Sequence, residues 1–169
     1  MCVKKLESER LWLVPLTLKR CEQLLNESKH KTVKQLYEDV SWPTKDTLDI
    51  LPMMYQLLKR TKHPTGFECW MIVVKKSEAI IGDISFHNHP DSSGTVEIGY
   101  GLIASAQGKG YGFEALQRLM TWAINQPNIT RIKATCLTNN EASIRLLQKV
   151  GMQEITRDSL VIEWCYDCT

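Results

Sequence analysis

A chain of 169 residues, 43% hydrophobic and 24% charged, has the size of one domain, buries enough apolar surface for a core and is too apolar for extended disorder. The formal net charge is +2 with acids and bases interspersed, which is not the footprint of a nucleic-acid or anionic-membrane binder. Met1 to Arg10 is charged and no run is apolar enough to cross a bilayer, which argues against a signal segment or membrane span and predicts a cytoplasmic protein.

In chain order, Leu11 to Leu16 alternates apolar and other residues and predicts a first strand. Leu16 to Leu25 then reads as a helix, and Thr44 to Arg60 as a second, with Ile50, Met53, Met54, Leu57 and Leu58 at helical spacing and Pro52 bending it or marking its first turn. Cys69 to Val74 and Ala79 to Phe86 are strongly β-forming and flank a polar turn, so they predict a hairpin. Turn formers fill His87 to Gly94, and Thr95 to Ile103 continues as a third antiparallel strand.

Beyond a glycine-rich segment, Gly112, Leu116, Leu119, Met120 and Ala123 define one face of a helix that ends near Asn125 to Asn128. Arg131 to Leu137 alternates again as a strand, with Ala134 and Cys136 on one side. Thr138 and Glu141 have the spacing of a capping box for a helix that turns Ile144, Leu147 and Val150 inward and stops at Gly151. Met152 to Thr156 and Ser159 to Tyr166 form a final hairpin, and with no repeat or linker, residues 1–169 read as one domain.

Cys2, Cys21, Cys69, Cys136, Cys165 and Cys168 are scattered and read as reduced thiols. Cys165 and Cys168 have C-x-x-C spacing, but two further zinc ligands and a helix start for redox chemistry are missing. His87 and His89 would share one face of a strand without a third ligand, so they read as loop or cleft-rim residues and no metal is expected.

The order strand, Gln107-Gly108-Lys109-Gly110-Tyr111-Gly112, helix places backbone N–H groups at a positive helix end, where glycine permits close approach of a bulky anion. The alternative is a turn whose glycines only solve backbone geometry. A dinucleotide motif would need glycine at Phe113, and a P-loop would need glycine at Ile103 and a hydroxyl residue at Gly110, so both fail.

Gln107, Gly110 and Gly112 match the Q/R-x-x-G-x-G/A coenzyme-A signature, and with the element order the chain resembles the GNAT superfamily of N-acetyltransferases from about Ser8 to Tyr166. The opening Ser8 to Thr17 is similar to the ribosomal-protein N-terminal acetyltransferase branch. The resemblance implies an α+β fold, a mixed and mostly antiparallel sheet flanked by helices and splayed at its central strands to admit acyl-CoA. Leu102 and Ile103 would then offer backbone groups to the pantetheine arm, residues 107–112 would hold the diphosphate, and Asn140 would position the coenzyme. Lys109 either adds a screened charge contact or is a solvated loop lysine.

Acetyl transfer needs a neutral amine, a polarised thioester carbonyl and a stabilised thiolate. A lysine amine has a pKa of about 10.4 and an α-amine one of about 8, so a base matters more for a lysine acceptor. Glu97, on the strand face opposite Val96 and Ile98, is the general-base candidate that the resemblance supplies; the alternative is an exposed strand glutamate. Ser143, three residues after Asn140, matches an N-x-x-S pattern of the amino-terminal branch and is the candidate acid. Locally, Asn139 and Asn140 could instead satisfy first-turn amides and Ser143 bond back into its own helix. Many relatives carry a tyrosine where Leu147 stands. A backbone N–H of Ile103 or its neighbour would polarise the carbonyl, and Trp42, Tyr55 and Trp70 line an acceptor pocket or pack as core.

The expected activity is acetyl transfer from acetyl-CoA, as cosubstrate, to a primary amine of a protein N-terminus or small molecule, by direct attack in a ternary complex. No acyl-enzyme is expected, since Cys136 has no apparent base. The second reading is an acyl-CoA-sensing binding domain with little catalysis. The chain would act as a monomer or homodimer, without nucleic acid or membrane.

Overall fold

The computed structural model describes residues 3–28 and 41–168; Cys2 lies outside them. The chain opens with a two-residue strand, β1 (Leu6–Glu7), followed by β2 (Leu11–Pro15), α1 (Leu18–Ser28) and α2 (Lys45–Thr61). The Cys69–Val74 strand (β3), Ile80–Phe86 (β4) and Thr95–Leu102 (β5) follow, then a short 3-10 turn at Ala104–Ala106. The remainder is α3 (Tyr111–Ile124), β6 (Arg131–Leu137), α4 (Glu141–Lys149), β7 (Gln153–Arg157) and β8 (Val161–Asp167).

The eight strands form one sheet in the order β1-β2-β3-β4-β5-β6-β8-β7, antiparallel except between β5 and β6. Alternation along β3 explains how helices cover both faces. Cys69, Met71 and Val73 point into a core with Leu24 of α1 and Leu51, Met54 and Leu58 of α2. Trp70 and Ile72 point the other way, into the larger core with Phe86, Val96, Ile98 and the Leu116, Leu119 and Ala123 face of α3. A strand buried on both sides reads as an unbroken apolar run, as Cys69 to Val74 does. Each large side chain fully buried in these cores contributes about 1.5–3 kcal/mol. No helix among the described residues is long and apolar enough to cross a membrane.

Two local expectations are corrected. Pro52 does not mark the first turn of α2, which begins at Lys45 and runs through the proline to Thr61. The Thr44 side chain accepts the Thr47 N–H, Asp46 lies in the first turn, and Leu51, Met54 and Leu58 are fully buried. Capping and burial together outweigh the roughly 3 kcal/mol that an interior proline costs. The Thr138 and Glu141 capping box does not form: Asn140 is the N-cap of α4, its side chain accepting from Ser143 N–H. Thr138 is instead tied to the turn before β8, its N–H donating to the Leu160 carbonyl at 2.9 Å.

Candidate active site

The sheet comes apart in its middle. β5 and β6 pair only through Thr95, Val96 and Glu97 against Arg131, Ile132 and Lys133, although β5 stays paired to β4 as far as Leu102 and β6 to β8 over its whole length. The second halves of β5 and β6 therefore face one another without a ladder.

Backbone alternation decides which groups enter this gap. The His87 N–H donates to the Glu97 carbonyl and the Ile103 N–H to the Ile81 carbonyl, both at 2.9 Å. In an antiparallel pair such residues alternate with ones whose N–H and C=O point away, so Ile98, Tyr100 and Leu102 turn their backbone groups toward the gap. The Leu102 carbonyl is taken by Gln107 Nε2 at 3.1 Å, leaving its N–H. Ile103 is thereby corrected as a donor, because its N–H is committed to Ile81 and its carbonyl accepts from Ala106 at 3.0 Å.

Past the short 3-10 turn at Ala104–Ala106, the chain enters the glycine-rich turn. Gly108 and Gly110 have φ of 70° and 81°, in the left-handed region that side chains resist. Gly110 is the N-cap of α3 and supplies no side-chain cap, so the first-turn N–H groups, beginning at Tyr111, project from a positive helix end without a helical acceptor. A Cβ on Gly112 would lie 2.9 Å from Leu146 Cδ1, so glycine lets α3 and α4 close together at the head of the gap. Such a cradle suits a diphosphate-sized anion.

Two residues that the sequence reading missed hold the cradle. Arg10 donates through Nη1 to the Lys109 carbonyl at 3.0 Å and lies 4.6 Å from the centre of the Tyr111 ring. Glu114, in the first turn of α3, accepts from Ser8 Oγ at 2.7 Å, Arg10 N–H at 2.6 Å and Arg10 Nε at 2.7 Å. Burial alone would raise the Glu114 carboxyl, but these three donors hold it below its ordinary value. Lys109 itself is exposed.

Side chains reach the gap from both faces. Glu97, at the last paired rung, is half-exposed beside His87 Nδ1 at 3.7 Å and accepts from Thr135 Oγ1 at 3.3 Å. Next to it, a Cβ on Gly99 would meet His87 Nε2 at 2.6 Å, whereas one on Gly101 would meet nothing within 4 Å, so open space begins there. Asp83 lies opposite Gly101 on β4 and is buried, its carboxylate accepting from Trp42 Nε1 at 2.7 Å and from Thr47 Oγ1. Burial pushes the Asp83 carboxyl above its ordinary value against those two donors. Trp42 is thus tied to this face, Trp70 is fully buried in the core, and Tyr55 is half-buried beside α1 and α2.

On the opposite face, Ser143 opens α4 beside Tyr100, and Asn140 spends its Oδ1 on the Ser143 N–H at 3.1 Å. Leu147 is 1% exposed, a core residue. Cys136 is buried and its sulfur accepts from Trp164 Nε1 at 3.2 Å. His87 and His89 diverge, the latter lying 3.3 Å from Glu68, and no group of three or more metal-binding side chains occurs among the described residues.

The acetyltransferase (GNAT) domain profile matches residues 10–153, and the chain belongs to this family of acetyltransferases. It is 31% identical over 163 residues to the uncharacterized N-acetyltransferase YjdG of Bacillus subtilis (strain 168), covering 95% of this chain and 96% of that one. Among solved structures it resembles the ribosomal L7/L12 α-N-protein acetyltransferase RimL in complex with coenzyme A, with a TM-score of 0.68, 19% identity and 96% of each chain covered. The microcin C7 self-immunity acetyltransferase MccE, in complex with acetyl-CoA and AMP, superposes with a TM-score of 0.64 at 19% identity, over 95% of this chain and 93% of that one.

Proposed function

We propose that residues 1–169 act as one domain that moves an acetyl group from acetyl-CoA to a primary amine, on a protein N-terminus or a small molecule, by direct attack in a ternary complex. One observation carries this reading: the unpaired edge of β5 is followed, after one short 3-10 turn, by an uncapped, glycine-lined helix start. A long ligand with a diphosphate at one end and amide groups along its arm matches that sequence of donors and acceptors. The coenzyme complexes of RimL and MccE and the N-acetyltransferase name of the Bacillus relative support it.

In this reading the amides of Gln107, Gly108, Lys109, Gly110, Tyr111 and Gly112 hold the diphosphate, and Lys109 adds a screened charge contact. The Leu102 N–H binds the arm or polarises the thioester carbonyl, a contribution of about 3 kcal/mol for one such donor. Asn140 sets the start of α4 against the coenzyme. Glu97 takes the surplus proton from the attacking amine, directly or through water, and Ser143 supports the leaving thiolate. The enzyme works in the cytoplasm.

Calorimetry with acetyl-CoA and with CoA, followed by thiol-release assays over an amine and peptide panel, tests the proposal. Binding of both with release on at least one amine is expected. No heat with either ligand refutes donor binding, and binding without release on any acceptor replaces catalysis with acyl-CoA sensing.

A further inference from the structure

On the face of the sheet that α2 covers, β4 and β5 leave an opening that no step above uses. Asp83 and Ser85 on β4 stand opposite Gly101 and Gly99 on β5, on the face that carries Cys69 and Met71. A Cβ on Gly101 would meet nothing within 4 Å, and glycine inside a strand, which weakens it, often marks a place that a ligand approaches closely. Two polar atoms border this space. Both donors to Asp83, Trp42 Nε1 and Thr47 Oγ1, reach the same oxygen, Oδ2, so Oδ1 takes no hydrogen bond. Ser85 Oγ has no partner either. Among the described residues the Tyr100 hydroxyl is the one fully enclosed side-chain polar atom without a partner, so Asp83 Oδ1 and Ser85 Oγ, on residues only 6% and 3% exposed, keep contact with the exterior.

The opening is also acidic without being neutralised. Among the described residues no cation pairs with Asp83; burial raises its carboxyl against the Thr47 and Trp42 donors, and Asp46 adds a like charge. Asparagine would serve both donors without a buried charge, so the carboxylate is kept at the expense of stability. An ammonium group, with three donors and no acceptor, matches one free carboxylate oxygen beside a hydroxyl. Further along β5 stands Glu97, about 13 Å from Gly101 at the rise of a strand. The His87 ring lies between, with Nε2 over Gly99 and Nδ1 3.7 Å from Glu97.

We propose that the space over Gly101 is a cation subsite for the acceptor, in which Asp83 Oδ1 and Ser85 Oγ bind one ammonium of an aliphatic diamine. This rests on the acetyl-CoA reading above. The chain of the diamine runs alongside the His87 ring and carries its other nitrogen toward Glu97 and the gap. That nitrogen, as the neutral amine, forms its bond to the thioester carbonyl carbon and gives up its surplus proton to Glu97. The C–S bond breaks, its electron pair stays on sulfur, and the thiolate takes a proton from solvent as CoA leaves. The product is a diamine with one acetyl group, which no longer offers two ammonium groups and is released.

Thiol release is followed with terminal diaminopentane and with aminopentane, which differ by a single ammonium. The native protein should show a KM about tenfold lower for the diamine, as one charge-assisted contact in a buried setting supplies. Mass spectrometry should find one acetyl group per diamine. Asp83→Asn should bring the two amines to the same KM while calorimetry finds CoA bound as in the native protein. Gly101→Val, which places its Cβ in open space, should raise the KM of the diamine with CoA still bound. Equal use of the two amines by native protein, or use of neither by protein that binds CoA, overturns the proposal. So does a diamine preference that survives Asp83→Asn, or a diamine KM that Gly101→Val leaves in place. Failure of the native protein to bind CoA at all refutes the acetyl-CoA reading instead, and this proposal falls with it.

Discussion

Replacing Glu114 by glutamine tests whether the cradle is held by charge. The carboxylate receives three donors, from Ser8 Oγ, Arg10 N–H and Arg10 Nε. Glutamine keeps an oxygen for the first two but sets an NH2 against Arg10 Nε. One charge-assisted bond, worth about 1.5–3 kcal/mol, is lost and the other two weaken. Because the Arg10 side chain is 43% exposed and water replaces part of the loss, about 2 kcal/mol is expected, a fall in Tm of about 4–8 °C. Arg10 would also hold the Lys109 carbonyl less firmly, and CoA should bind about tenfold more weakly, ~1.4 kcal/mol. The native Glu114 pKa is lowered on folding, so its contribution is complete above the ordinary glutamate value and disappears as pH falls through the lowered one. Urea denaturation of both proteins at neutral and acidic pH reads this directly. A stability gap of the same size at every pH would refute an ionised Glu114 as the clamp.

Glu97→Gln should lower kcat about 100-fold, with the largest loss at low pH where more acceptor is protonated, and leave CoA affinity unchanged; an unchanged rate across pH removes Glu97 as the base. Gly110→Ala places a Cβ at φ 81° and 3.3 Å from Arg10 Nη2, costing about 1–2 kcal/mol from the left-handed backbone alone, and should weaken CoA binding in calorimetry while the protein stays folded. Asp83→Asn keeps an oxygen for Trp42 and Thr47 and removes a buried charge. The Asp83 pKa is raised on folding, so the native protein loses stability as pH climbs through the ordinary aspartate value toward the raised one; the variant should melt higher at neutral pH, with the difference vanishing in acid.

The strands legible in the sequence are those whose pattern is local. β3 and β6 carry six and seven residues of sustained β-forming character, and their observed limits match those read from the sequence. The turn before α3 was equally plain as a turn, because positive φ at Gly108 and Gly110 demands glycine on the spot. β1 escaped notice because two residues carry no period. Thr138 has the spacing of a cap, yet packing of the turn before β8 claims its N–H and leaves the helix start to Asn140. Glu114 meets Arg10 across 104 positions of chain, a pairing no local pattern announces. Tyr100 was readable as a tyrosine on an apolar face, but that its hydroxyl lacks a partner emerges only once α4 and β6 are packed around it.

The parting of β5 from β6 also leaves the two parts of the sheet sharing a short seam. Three paired positions join β5 to β6, the Thr130 and Arg131 N–H groups donate to the Gly94 carbonyl beside them, and the larger core spans the seam beneath the close approach of Gly112 to Leu146. A chain of amides laid between the strands would serve as a missing ply, replacing the absent ladder and fastening the halves. Bound donor would then add to cohesion, and amide hydrogens of β6 are expected to exchange more slowly when the seam is filled.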